Sequence, residues 1–158
     1  PKRLLYKYPN ADSTLWKIQD CHWTTLNFHR QGGGRRVLNP DKLEDAIAAD
    51  YTQVKPGELR YGDLIVYLVQ DGSAVRPLHS AVYICGDLAF TKNGNNLSTP
   101  WCFMRIQDMD AAYACERPVF RNYYRMNPSA MERTRNEMRG QRPDRIGNRG
   151  DSGKDIGG

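Results

Sequence analysis

The chain is predicted to be an α+β domain, with N-terminal helices packed on a central antiparallel β-sheet or meander. Three features predict it. Helix signals dominate the first fifty residues, where Asp20 precedes Cys21–Phe28 and Asn39-Pro40 precedes the stripe Leu43, Ile47, Tyr51. From Pro56-Gly57 onward the apolar period changes to that of strands, broken by turn dipeptides. Helices and strands are thus segregated along the chain rather than alternating, which is the α+β pattern.

The elements follow in order. Leu4, Leu5, Tyr6, Tyr8, Leu15 and Trp16 of the first nineteen residues are available to cover a core. Asp20 caps the first helix, and Gly32-Gly33-Gly34 ends it in a flexible connector. That triple glycine is followed by Arg35-Arg36-Val37 rather than Gly-Lys-Ser/Thr, so it is not a phosphate loop. Asn39 caps a second helix with Pro40 at its first position, and the four-residue recurrence of Leu43, Ile47 and Tyr51 marks a packing face. Strands are expected at Leu64 to Val69, Leu78 to Ile84, Leu88 to Thr91, Trp101 to Ile106 and Pro118 to Met126. A short helix falls near Asp108 to Ala114. The turns between strands are Gly62-Asp63, Asp71-Gly72, Gly86-Asp87 and Asn93-Gly94-Asn95-Asn96.

Composition bounds the function. The 158 residues favour one domain, and 39% hydrophobic residues support a core. Residues 129–158 hold many charges and glycines and few large apolar side chains, which predicts a disordered basic tail beyond a folded domain of residues 1–128. A net charge of +5, carried by scattered basic residues, does not make the dense basic face of a nucleic-acid binder. No apolar run reaches the roughly twenty residues of a membrane helix. No signal peptide is visible, and a chain that starts at Pro1 leaves the compartment open. Cys21, Cys85, Cys102 and Cys115 form no Cys-x-x-Cys pair, so a structural zinc site is not expected. The last three read as small buried residues within apolar stretches. A monomer is the expected state.

Cys21 is different because it stands one residue after a helix cap, where free amides and the helix dipole lower a thiol pKa. Its base must lie within hydrogen-bond reach. His22, adjacent on the helix, points about 100° away, and His29 sits roughly 12 Å up the axis. His22 and His29 are also about 10.5 Å apart on a helix, too far to share a metal ion. His79, at the start of a strand, is the remaining base. The residue that orients its ring should lie on the hairpin partner. Asn93, with its amide oxygen, is preferred there, and Thr91 is the alternative. His22, Trp23 and Thr91 are candidates for substrate contact, although core packing is a competing role for Trp23 and Trp101.

Three motifs in this order carry a resemblance: Asp20-Cys21, then Gly62-Asp63-Leu64-Ile65-Val66-Tyr67, then His79-Ser80-Ala81-Val82-Tyr83-Ile84. Over roughly residues 5–95 the chain resembles the NlpC-like cell-wall cysteine peptidases of the papain-like superfamily. That resemblance implies a papain-like (NlpC-type) fold and a cysteine peptidase or amidase acting on peptidoglycan stem peptides. It implies no metal and no cofactor, and it favours an exported or cell-envelope location. Tyr6 or Tyr8 would supply the family's tyrosine near the oxyanion site. The family's third polar residue falls at Thr91, with Asn93 two further on. His22-Trp23 replaces the usual Ser-Gly after Asp-Cys, and the Tyr-Gly-Gly stretch is missing. Two other functions share these residues: a non-catalytic binding or scaffold module, and an amine acyltransferase using the same thiol.

Overall fold

Leu64 to Val69 is apolar without a break because both faces of its strand are covered, the situation in which a strand loses its polar alternation. The structure, a computed structural model, describes residues 4–30, 40–115 and 118–139. These form a mixed α+β fold around a six-stranded antiparallel sheet. Its strands are β1 (Tyr51–Val54), β2 (Leu64–Asp71), β3 (Ala74–Cys85), β4 (Leu88–Lys92), β5 (Trp101–Arg105) and β6 (Val119–Met126). Their spatial order is β1-β6-β2-β3-β4-β5. Leu64, Val66 and Leu68 point to one face, where they join Val82, Phe90, Trp101 and the helices α1 (Cys21–Leu26), α2 (Leu43–Asp50) and α4 (Pro128–Arg139). Ile65 and Tyr67 point to the other, with Ala81, Ala89, Tyr123 and the helix α3 (Ile106–Ala114). Each such buried side chain contributes about 1.5–3 kcal/mol.

The expected meander is β2 to β5. Two of its hairpins turn on Gly72-Ser73 and Gly86-Asp87. Glycine occupies the first loop position in each, with φ of +60° and +54°, as a type II′ connection requires. The last strand departs from the meander. β6 returns to the far side of β2, pairing Leu64↔Tyr124 through Val69↔Val119, and β1 lies outside it with Tyr51↔Met126.

Four expectations change. Tyr51 belongs to β1 and not to the second helix, because residues 51–54 pair with β6 once the sheet is assembled. The second α-helix starts at Leu43 after a 3-10 turn at Pro40–Lys42, and no side chain caps it. Residues 129–139 are not tail. They lie in α4, whose inward positions, Ala130 and Thr134, are too small or polar to show an apolar stripe. α4 is tied down by ion pairs of Arg133 with Asp50 and of Glu137 with Arg30. Cys85 and Cys115 are exposed and Cys102 half-buried, since they sit at a hairpin turn, past a helix end and on an edge strand. The Gly32–Gly34 connector, Arg35, Arg36, Asn39 and residues 140–158 lie outside the described residues, as do the side chains of Leu15 and Trp16. Among the described residues no helix is long and apolar enough to cross a membrane.

Gly62-Asp63 is a structural joint. Gly62 (φ +92°) lies under the ring of His29, where a Cβ would stand 2.6 Å from His29 Cε1. The Asp63 carboxylate, 4% exposed, accepts from Arg125 Nε (3.0 Å), Arg125 Nη2 (2.7 Å) and the Arg60 N–H (2.8 Å). Breaking a fully buried pair costs about 3–5 kcal/mol, and Arg125 retains some contact with water. Asp63→Asn is therefore expected to lower unfolding free energy by about 2 kcal/mol. Urea denaturation measures this, and an unchanged midpoint would show that the joint is held by packing alone.

Candidate active site

Asp20 starts α1 as expected, its Oδ1 accepting the Trp23 N–H at 2.8 Å. This puts Cys21 at the first helical position, on the sheet face that Ser80 shares with Val66. His79, opposite Tyr67, points to the other face. Ser80, next to His79 in the chain, links the two sides where β3 and β4 part. Their pairing runs Cys85↔Leu88, Tyr83↔Ala89 and Val82↔Phe90 and goes no further toward the start of β3. Beyond that point the Ser80 main chain finds other partners. Its N–H points at the Cys21 sulfur and its C=O accepts from Thr91 Oγ1 at 3.0 Å. Buried backbone groups must be paired somewhere. Here the opened ladder is closed by a thiol and a hydroxyl.

These contacts determine the state of His79. Thr91 has one hydroxyl proton and gives it to the Ser80 carbonyl, which can only accept. The 3.0 Å contact between Thr91 Oγ1 and His79 Nε2 must then be an Nε2–H donating to oxygen. Nδ1 carries the lone pair, and the Tyr113 hydroxyl donates to it at 2.9 Å. The Tyr113 ring stacks on the imidazole, centroids 4.4 Å apart, and His79 is 1% exposed. Among the described residues no hydrogen bond joins Cys21 to His79.

The electrostatics favour an uncharged pair. Burial, aided by the Asp20 carboxylate, pushes the Cys21 thiol up to about 11, against N–H groups of Ser80, His22 and Cys21 that favour the thiolate. Burial, aided by the field of His22, pushes His79 down to about 3. Burial also lowers His22 and His29.

Thr91, not Asn93, holds the ring of His79. The Asn93 amide instead donates to Met104 Sδ (3.2 Å), and its Oδ1 stands 3.4 Å from Tyr113 Oη, whose one proton goes to His79. Because Thr91 is buried against His79, it does not face a substrate space. His22 stands at the site, with Nδ1 2.8 Å from Ser80 Oγ. Trp23 packs on the core with its ring 6.0 Å from that of Trp101, so the packing role holds for both. Tyr8 is 60% exposed and Tyr6 69%, and neither makes a hydrogen bond or ring contact with a site residue. Lys92, which borders Thr91, is fully buried. Its ammonium donates to Gly94 O (2.7 Å), Asn96 O (3.0 Å) and Thr99 Oγ1 (3.1 Å), holding the turn that follows β4. Tyr113 and Ser80 were not foreseen as site residues. Ser80 adjoins His79 in the motif, whereas nothing local in Ala112-Tyr113-Ala114 marks the tyrosine. Among the described residues no three His, Cys, Asp or Glu side chains group as metal ligands. Cavities of about 430 and 460 Å³ flank the site. Tyr67, Asp110 and Arg121 line the first, and Asp20, His22 and Arg76 line the second.

Comparison with protein-family models, curated proteins and solved structures finds no match for this chain.

Two outcomes follow from this geometry. All three histidines have folded pKa values below 6.5, so below that pH the unfolded chain takes up protons first. Their contribution to stability is full above pH 6.5 and drains away as pH falls toward about 3. Urea midpoints measured from pH 8 to 4 should fall on the acid side, and a flat profile would contradict neutral buried imidazoles. Separately, Tyr113→Phe keeps the stack but frees Nδ1 as a base. Alkylation of Cys21 by iodoacetamide, followed by mass spectrometry, should accelerate about tenfold, the equivalent of one neutral hydrogen bond of roughly 1.4 kcal/mol. Equal rates would show that the hydroxyl does not restrain the imidazole.

Proposed function

We propose that this chain is a cysteine hydrolase of amide bonds on a papain-like, NlpC-type fold, acting on peptidoglycan stem peptides. The reading rests on one observation. A nucleophile-type sulfur and the lone pair of a buried neutral imidazole are anchored on adjacent residues of one strand, Ser80 and His79. In this reading Nδ1 of His79 takes the Cys21 proton as the sulfur attacks the carbonyl carbon. His79 then gives that proton to the leaving amine, and a thioester remains on Cys21. Thr91 keeps the ring oriented through Nε2. The N–H groups of Cys21 and His22, already turned toward the sulfur, are placed to meet the developing oxyanion. The substrate class comes from the resemblance alone.

A second reading also has an observation behind it. Tyr113 occupies Nδ1, and burial leaves both groups uncharged, as in a binding module that keeps the fold without turnover. Digestion of soluble peptidoglycan, read by mass spectrometry, separates the two. On the hydrolase reading wild type releases peptides and Cys21→Ser releases none. Thr91→Val should lower kcat/KM about tenfold or more, since a lost buried hydrogen bond costs about 1–3 kcal/mol. Asn93→Ala should stay within a few-fold of wild type. Release that persists in Cys21→Ser, or no release by wild type, would count against the hydrolase.

A further inference from the structure

His22 is held in one tautomer by the residues that anchor the thiol. Thr25 Oγ1 lies 3.0 Å from the His22 carbonyl and 3.0 Å from Ser80 Oγ. Its single proton goes to the carbonyl, so the Ser80 hydroxyl must donate to Thr25. Ser80 Oγ is then an acceptor toward His22, and the 2.8 Å contact is a bond from His22 Nδ1–H. The lone pair of His22 is therefore on Nε2. That nitrogen has no hydrogen-bond partner among the described residues, and it is not among their buried unpaired atoms, so it meets solvent. His22 lines the cavity of about 460 Å³ with Asp20, Asp41, Glu44 and Arg76.

The placement separates the two histidines. His79 is 1% exposed and covered by Tyr113, which leaves it little access to water. His22 stands on the open side. Ser80 serves both reactive groups: its N–H meets the Cys21 sulfur and its hydroxyl meets the His22 ring. A thioester on Cys21 would thus lie within one residue's span of a solvent-facing lone pair.

We propose that His22 is a second proton-transfer residue, its Nε2 activating the water that hydrolyses the Cys21 thioester. The proposal depends on the hydrolase reading above. Nε2 takes a proton from water as the oxygen attacks the thioester carbonyl carbon. The tetrahedral adduct collapses with cleavage of the C–S bond, Cys21 leaves as thiolate, the proton on Nε2 passes to solvent, and the sulfur is reprotonated from solvent. The products are the free acid and the thiol. Ser80 keeps the ring in place throughout, because Nδ1–H donates in both the neutral and the protonated ring. His79 across Ser80 and Arg76 in the cavity wall oppose charge on His22, while Asp20, Asp41 and Glu44 support it. Burial outweighs the pull of Asp20 and keeps the ring neutral at pH 7, so it can accept.

The test uses p-nitrophenyl acetate as acyl donor, with acetyl-Cys21 followed by mass spectrometry. Wild type, His22→Asn and His22→Ala should acetylate at similar rates. Deacetylation should slow about 100-fold in the variants, the ordinary contribution of a positioned acid–base group, so that acetyl-enzyme accumulates. Added imidazole should restore deacetylation in His22→Ala, which a structural role would not produce. Ser80→Ala keeps the imidazole but loses its anchor, and should slow deacetylation by a smaller factor. Deacetylation at the wild-type rate in the histidine variants overturns the proposal and leaves the hydrolase standing. If those variants do not fold, a wild-type rate in Ser80→Ala overturns it instead. No acetyl-Cys21 in wild type or in either histidine variant overturns the hydrolase reading and this inference with it.

Discussion

The site depends on the parting of β3 and β4 below Val82↔Phe90. In a closed ladder Ser80 would spend its N–H and C=O on the neighbouring strand. With the ladder open, those two backbone groups need partners and find Cys21 and Thr91. The cost of two unpaired buried groups, about 1–3 kcal/mol each, is thus turned into the force that positions the site. The β2 side of β3 stays paired along its length, with one irregularity between Tyr67 and Leu68, so the opening is confined to one edge.

Burial is the second constraint, and it works against charge. A thiol raised to about 11 and an imidazole lowered to about 3 do not form a resting ion pair. On the proposed hydrolase reading, proton transfer between them would be driven by a bound carbonyl that makes the sulfur's negative charge transient. The Tyr113 hydroxyl completes this closed state. It satisfies the lone pair of Nδ1, which would otherwise be a buried unpaired acceptor, and the stacked ring excludes water. The same contact that stabilises the folded protein therefore competes with the chemistry proposed for it.

Much of the fold was legible where local pattern and tertiary context agree. The apolar run of β2, the two glycine turns and the Asp20 cap all act over a few residues. β1 was not legible, because Tyr51 continues the spacing of Leu43 and Ile47, and pairing with β6, over seventy residues away, decides its state. α4 was missed because Ala130 and Thr134 bury little apolar surface, and its ties are to Arg30 and Asp50, far away in sequence. The site shows the same division. Cys21 and His79 could be picked out by residue type and spacing. The third residue could not, since extending the hairpin register from Val82↔Phe90 sets Asn93 opposite His79. That extrapolation assumes a closed ladder; once the strands part, the ring reaches Thr91 instead. The exclusion of His22 on helix geometry concerned the thiol proton only. Its bond to Ser80, 58 residues away, could not be seen from the helix.

The two histidines also constrain one another. His79 and Ser80 are consecutive, so one ring sits beside Ser80 on each face of the sheet, and His22 depresses the protonation of His79. A proton on either ring raises the cost of a proton on the other. Any reaction at this centre must therefore carry one proton at a time. In the proposed hydrolysis, His79 would surrender the thiol proton to a leaving group before His22 takes one from water. On the proposed hydrolase reading this favours one order of events: formation of the thioester with the proton on the covered side, release of the amine, and hydrolysis with the proton on the open side. The parted strands permit this sequence by giving each ring its own face while tying both to the same short stretch of backbone.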